Sequence, residues 1–311
     1  MSDLDTRLLG AAFHWGPRLL GPAPVRHALG ELASAIAVPL DPPALRQWTR
    51  NVTLATGVSP NAAATRTVVR AHVRTLTEAI VLPRWSHDEV RRRVTVDDRD
   101  LARLQRAHEG PGLILALPHM ANWDLAGAWL CLNGIPLSTV AERLPDGLFE
   151  TYRAMRSSLG FTVHSDDDPQ ALARLTNDLA GGKAIALVAD RVLAGHGLDV
   201  TWPTATGRRL ASAPPGPALL ARRSGATLIG VGLHYTPTGI HVELSPDIPV
   251  VAGPTGLRDM AQNLIDFFAG QIAATPHDWL MFQRFFPEDR THRRSGAART
   301  SATAGTAGGA R

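Results

Sequence analysis

Residues 112–127 read GLILALPHMANWDLAG. Five apolar residues in succession, bounded by Gly112 and Pro118, are too few for a helix and do not alternate. The run therefore predicts a strand buried on both faces, as in a parallel sheet. Asn122 is a good N-cap, so a helix is expected from there on. His119 then falls on the turn between strand and helix, and Asp124 in the first helical turn. On a single helix, residues five apart diverge, because helical neighbours lie three or four apart. With His119 on the turn the two side chains can meet. A carboxylate against one imidazole nitrogen fixes the tautomer and leaves the other nitrogen as a general base. The same spacing also fits a capped helix beside a hydrogen-bonded histidine with no chemical role.

The texture of this stretch recurs downstream. PLSTVA (136–141), FTVHS (161–165) and AIALVAD (184–190) are short strand-like runs, separated by helical patterns at 122–133, 147–158 and 168–181. Such alternation predicts parallel β-α units with both sheet faces covered. A helix at 213–223, strands TLIGVGLHY (227–235) and GIHVELS (239–245), and a helix at 255–274 complete the body. Residues 1–108 are expected to be almost wholly helical, with breaks at Gly21-Pro22, Pro39, Pro42-Pro43 and Ser59-Pro60. The expected architecture is α/β: one domain over 1–289, mostly helical over 1–108 and α/β over 109–289, then a disordered basic tail over 290–311.

Ligands of open parallel sheets bind beyond the carboxyl ends of the strands. Three predicted strands end in polar residues: at His119, at Glu142-Arg143 and at Asp190-Arg191. Charge delivered by three separate strands to one edge is a stronger signal than any of the three alone. The arginines Arg143, Arg156 and Arg191 either clamp phosphate, which guanidinium matches bidentately, or pair with Glu142 and Asp190 as scaffold.

Composition narrows the classes. The chain has 311 residues, 44% hydrophobic and 19% charged, with a net charge of +4. Five arginines (Arg290, Arg293, Arg294, Arg299 and Arg311) and no acid lie in the tail, and without them 27 basic residues nearly balance 28 acidic ones. A nucleic-acid footprint on the body is not expected. The single Cys131, in the apolar run AGAWLCL, excludes a disulfide framework and reads as core. No 18-residue apolar stretch predicts a membrane span. The segment LLGAAFHWGPRLLGPAPVRHAL near the N-terminus reads either as an in-plane membrane anchor or as a helix packed on the body. There is no Gly-rich phosphate loop, no G-x-S-x-G and no H-E-x-x-H. His164, in FTVHS, reads as a strand-end histidine.

HMANWD resembles the H-x4-D/E motif of glycerolipid-type acyltransferases. PHMANWDLAGAWL is similar to the H-x-G-N-W-D/E form of the lipid A lauroyl/myristoyl acyltransferases, and closer still to the actinobacterial phosphatidylinositol mannoside acyltransferases. The likeness continues through TVAERL (139–144), YRAMRSSLGF (152–161), LVADR (187–191), PPGPALLARRSGA (214–226) and PHDWLMFQ (276–283), in order along most of the chain. The resemblance implies a mainly parallel central sheet flanked by helices. It implies His119 as catalytic base, Asp124 as the residue orienting it, and Asp190 as an acid beside the histidine. Arg156 matches a family arginine of the site, and Glu142, Arg143, Arg191 and Asn122 are further substrate-binding candidates. Two departures stand out: Ala121 where relatives usually have glycine, and TWPTATG (201–207) where relatives tend to show an aromatic pair before glycine.

The implied reaction is acyl transfer from a thioester, acyl-CoA as co-substrate, to a hydroxyl of a glycolipid or phospholipid acceptor, foremost a mannose of phosphatidylinositol mannoside. No resident cofactor, metal or nucleophilic serine or cysteine is expected. A fatty chain needs an apolar tunnel, for which Leu115, Leu117, Val140 and Val188 are the candidate lining. The expected location is peripheral, on the cytoplasmic face of the cell membrane. Alternatives are transfer to another glycolipid or a secondary metabolite, and a non-catalytic lipid- or acyl-CoA-binding relative.

Overall fold

The computed structural model describes residues 16, 18–144, 147–192 and 197–286. The tail at 290–311 and most of the N-terminal segment 1–22 lie outside the described residues. Helices α1 (Ala23–Leu40), α2 (Pro43–Thr56) and α3 (Ala62–Val81) begin where the prolines and polar caps predict. The Asn61 side chain caps α3 by accepting from the Ala64 amide at 2.9 Å. Two shorter helices follow, α4 (His87–Arg93) and α5 (Asp98–Glu109), with a two-residue strand, β1 (Val94–Thr95), between them.

The α/β part then runs β2 (Leu113–Leu117), α6 (Trp123–Leu132), β3 (Leu137–Ala141), α7 (Leu148–Ser158), β4 (Phe161–Ser165), α8 (Ala171–Ala180) and β5 (Ala184–Val188). A hairpin, β6 (Leu198–Thr204) and β7 (Gly207–Ala213), precedes α9 (Gly216–Ser224), β8 (Thr227–Tyr235), β9 (Ile240–Ile248) and α10 (Gly256–Ala274). Seven strands form the main sheet in the order β1-β9-β8-β2-β5-β3-β4. All neighbours are parallel except β8 and β9, which form an antiparallel pair. Each crossover among β2 to β5 carries one helix, the connection parallel strands require.

Every residue of β2 is buried. The strand lies between β8 and β5 with helices over both faces, which is why its sequence is a continuous apolar run rather than an alternating one. Between α6 and the sheet the approach is close: a Cβ at Gly127 would stand 2.4 Å from the ring of Phe161. Only glycine admits this packing.

The β6-β7 hairpin is not predicted from the sequence. It is a two-stranded sheet of its own, and its Trp202 is fully buried, with the indole N–H donating to the Ala55 carbonyl at 3.1 Å. Trp202 stacks on Trp279, with centroids 6.1 Å apart and planes at 19°, and meets Phe285 and Phe286 edge-on. This aromatic cluster ties the TWPTATG departure to the segment after α10. The apolar half of the hairpin is therefore spent on distant partners that a local pattern does not reveal.

Candidate active site

β2, β5 and β3 are adjacent and parallel, so the strand ends that carry polar residues share one edge of the sheet. Register does the rest. Leu117 is paired with Val188, and His119 and Asp190, each two residues further along, come opposite one another.

Asp190 has no exposed surface. Its Oδ1 lies 2.6 Å from His119 Nδ1, while Oδ2 accepts from the His119 backbone N–H at 3.0 Å and from the Trp279 indole N–H at 2.8 Å. Burial alone would push this carboxyl up; the neighbouring imidazole and the three donors outweigh it and hold the group below the usual carboxylate range. An ionised carboxylate only accepts, so Nδ1 carries a proton, and Nε2 is the nitrogen left to act as base in the neutral ring. The Trp123 ring meets the imidazole edge-on at 6.0 Å and 84°. A quarter of the His119 side chain, 26%, remains exposed, which leaves Nε2 for the cleft.

Among the described residues it is Asp190, and not the expected Asp124, that holds the His119 ring. The Asp124 carboxylate is buried and held by the partly buried Arg156, with Nε to Oδ1 at 2.7 Å and Nη2 to Oδ2 at 3.4 Å. The parallel register brings a second carboxylate to the imidazole from the neighbouring strand, and the helical one turns to the guanidinium on α7. Burial alone would lower the basicity of Arg156, but Asp124 raises it, so the ion pair is maintained. Burial also pushes the nearby Tyr152 phenol up, which keeps it neutral.

The turn that carries His119 is braced from two sides. Asn122 caps α6 as expected, its Oδ1 accepting from the Leu125 amide at 3.0 Å. Its Nδ2 donates to Glu78 at 2.9 Å, and Glu78 is in turn paired with Arg74 at 2.8 Å. On the other side, residues 278–280 form a short antiparallel bridge. Ala121 N–H donates to the Asp278 carbonyl at 2.9 Å, and Leu280 N–H to the His119 carbonyl at 2.7 Å. Ala121 is fully buried at φ +45°, in the left-handed region that favours glycine, so the substitution noted in the sequence sits where it costs backbone energy of about 1–2 kcal/mol.

The remaining candidates divide. Arg191 pairs with Glu142 at 3.0 Å on the rim of the cleft. Arg143 is exposed: its side chain faces Asp167 at 3.6 Å and lies 5.8 Å from the ring of Phe149, and its backbone N–H donates to Asp166 at 2.8 Å. His164 is bound to Asp178 at 2.7 Å, in a cluster with Lys183 and Ser138. Three residues of the site escape the sequence reading: Trp279, Glu78 and His72. Trp279 lies within PHDWLMFQ, yet nothing local to that run signals that its indole closes on Asp190.

The cleft at His119, about 310 Å³, lies next to a cavity of about 100 Å³ beneath α6. Trp123, Asp124, Val140, Arg156 and Val188 border both spaces. Leu115, Leu117, Val140 and Val188, the expected lining, all face the cavity. By volume it has room for several waters, but its wall is nearly all hydrocarbon and offers them few partners.

The model of the family described as bacterial lipid A biosynthesis acyltransferase matches residues 4–287. The chain belongs to that family. It is 35% identical over 222 residues to the phosphatidylinositol mannoside acyltransferase of Mycolicibacterium smegmatis, covering 70% of each chain. It is 34% identical over 210 residues to the Mycobacterium tuberculosis protein of the same name, covering 66% of this chain and 65% of the relative. Family membership accords with the mainly parallel sheet and the helical N-terminal region.

Proposed function

We propose that this protein transfers a fatty acyl group from an acyl-CoA thioester to a hydroxyl of a membrane glycolipid, with a mannose of phosphatidylinositol mannoside as the leading acceptor. The observation that carries the reading is the imidazole pinned through Nδ1 to a buried, ionised Asp190, with Nε2 unpartnered among the described residues at a cleft that borders an apolar cavity. A positioned base is not needed for binding alone, which disfavours a purely lipid-binding role.

In this mechanism Nε2 of His119 takes the hydroxyl proton as the oxygen attacks the thioester carbonyl carbon. The imidazolium that forms is stabilised by Asp190 across 2.6 Å. The carbonyl π electrons pass to oxygen, giving a tetrahedral oxyanion, and return as the carbon–sulfur bond breaks. The departing thiolate takes the proton from Nε2, releasing CoA as the thiol and the acceptor as its ester. The cavity under α6 takes part of the length of the acyl chain, where transfer contributes about 0.8 kcal/mol per buried methylene.

Access from a bilayer has a candidate surface. Among the described residues no helix is long and apolar enough to cross a membrane. Along α1, however, Val25, Leu29, Leu32, Ile36 and Leu40 recur every three or four residues and are all exposed, Leu40 at 73%. Such a stripe suits a helix lying in the lipid interface. Ala37, on the same helix, borders an opening at His119, so an acceptor held in the membrane reaches the base along this face. Val25 and Leu29 lie in the segment 8–29 that the sequence singles out, and the stripe continues past it to Leu40.

Mass spectrometry of the lipids of a strain lacking the gene tests the acceptor. The reading expects loss of an acylated glycolipid and accumulation of its deacylated precursor, restored by the wild-type protein and not by His119→Ala. An unchanged glycolipid profile beside a missing acylated small molecule would move the activity to a secondary metabolite.

A further inference from the structure

Two openings meet at His119. One is the cleft that shares a wall with the apolar cavity. The other, about 420 Å³, lies between the α1-α2 turn, α3 and residues 280–283, and shares no wall residue with the cavity. Four residues border both openings: His72, His119, Arg191 and Leu280. Substrates that arrive by separate openings react within this ring.

Two of the four have no donor to give, and Arg191 gives one of its N–H groups to Glu142 at the rim. The Nδ1 proton of His119 is committed to Asp190, whereas the Arg191 guanidinium is tethered through Nη2 to Glu142. Leu280 brings an apolar side chain, its backbone N–H being spent on the His119 carbonyl. His72 differs. Among the described residues its ring nitrogens have no hydrogen-bond partner, and its ring contact is edge-on to Phe282, with centroids 4.9 Å apart at 61°. Burial pushes the imidazole down, so it stays neutral near pH 7, with one N–H to give.

The acyl-transfer mechanism requires a donor for the oxyanion, and neither His119 nor Asp190 supplies one. We propose that His72 is that donor, a catalytic residue whose ring N–H bonds to the thioester carbonyl oxygen as charge develops on it. The inference rests on the acyl-transfer reading of the site. No proton changes hands at His72: the hydrogen bond shortens as the π electrons move onto oxygen and relaxes when they return to expel the thiolate. Burial weakens the other ring nitrogen of His72 as a base, which leaves the hydroxyl proton to His119. Its place on α3, braced through Phe282, fixes the direction of the N–H before substrate arrives.

The test compares wild type, His72→Phe and His72→Gln with palmitoyl-CoA, using both water and phosphatidylinositol mannoside as acceptor. His72→Phe keeps a ring against Phe282 but has no N–H, and should lose about 10²–10³-fold in kcat, the usual effect of deleting one oxyanion donor. KM for both substrates should stay within threefold, and so should the Kd of a non-hydrolysable palmitoyl-CoA thioether. His72→Gln, which restores an N–H, should recover part of the rate. A kcat within threefold of wild type in His72→Phe overturns the proposal, as does a loss confined to the acceptor's KM, which would make His72 an acceptor contact. If His72→Phe does not fold, His72→Gln decides against Leu and Asn at the same position: equal rates in a folded Leu variant overturn it. A wild type silent with every thioester and acceptor overturns the acyl-transfer reading and this donor with it, whereas an active wild type beside an unimpaired His72→Phe removes the donor alone.

Discussion

Replacing Asp190 by asparagine separates the two carboxylates that the sequence offers His119. In the wild type, Oδ1 faces Nδ1 at 2.6 Å, while Oδ2 accepts two N–H groups, from the Trp279 indole and the His119 backbone. Asparagine has one accepting oxygen and one donating nitrogen. If the oxygen stays with Nδ1, the amide N–H₂ confronts two buried donors, and a buried donor without an acceptor costs about 1–3 kcal/mol. If the amide flips to serve Trp279, its nitrogen donates to Nδ1 and forces the proton onto Nε2, so the base is lost. The corresponding tautomer error in a serine protease triad lowers kcat by about 10⁴. We therefore expect Asp190→Asn to lose about 10³–10⁴-fold in kcat and roughly 1–3 kcal/mol in stability, read by CoA release and by urea denaturation. Asp124→Asn should be far milder in rate at the imidazole, though it leaves the partly buried Arg156 uncompensated and destabilises the fold. The reasoning is refuted if Asp190→Asn retains kcat within threefold while Asp124→Asn abolishes it, because His119 would then be oriented by Asp124 after all.

Three other outcomes follow from the same structure. Ala186→Phe, on the cavity wall, should shift the preferred acyl chain to a shorter one in a donor series, each excluded methylene being worth about 0.8 kcal/mol, or roughly fourfold; an unchanged chain-length optimum would remove the cavity from the acyl path. Burial alone would raise Asp178, but hydrogen bonds from Lys183, His164 and Ser138 hold it at about 2, so its contribution is present above the unfolded value near 4 and is lost as pH falls toward 2. Asp178→Asn should accordingly flatten the acid limb of a stability–pH curve below about pH 4, and a limb identical to wild type would show that the pairing contributes nothing. Changing Leu32, Ile36 and Leu40 together to serine should release the protein from anionic vesicles in a flotation assay without lowering turnover of detergent-solubilised substrate; undiminished flotation would assign the α1 stripe to another role.

Strand–helix alternation was legible because β2, β3, β4 and β5 are short apolar runs bounded by turns, and parallel neighbours leave no other place for such runs. The gathering of His119, Glu142 and Asp190 at one edge was legible for the same reason. Partner choice at the histidine was not. It depends on the β2-β5 register, which no local spacing encodes, and on the Trp279 indole arriving from 160 residues downstream. A five-residue separation suggests Asp124; the sheet supplies Asp190. The β6-β7 hairpin escaped because its identifying side chain, Trp202, is paid for by contacts with Ala55, Trp279 and Phe285, all remote in sequence. Asn122 shows the opposite case, since a cap satisfies an amide three residues away and the local pattern contains all that is needed. Ala121 lies between: the sequence marks it as unusual, and the φ of +45° supplies the reason.

The central claim is that His119, oriented by Asp190, activates a hydroxyl against an acyl thioester. Its most direct measurement mixes isotopically labelled palmitoyl-CoA with purified protein and phosphatidylinositol mannoside and follows labelled ester and free CoA together by mass spectrometry. The account predicts stoichiometric transfer by the wild type, with the label in the glycolipid, and a rate lower by about 10²–10⁴-fold in a folded His119→Ala variant. Transfer at near wild-type rate by His119→Ala would contradict it.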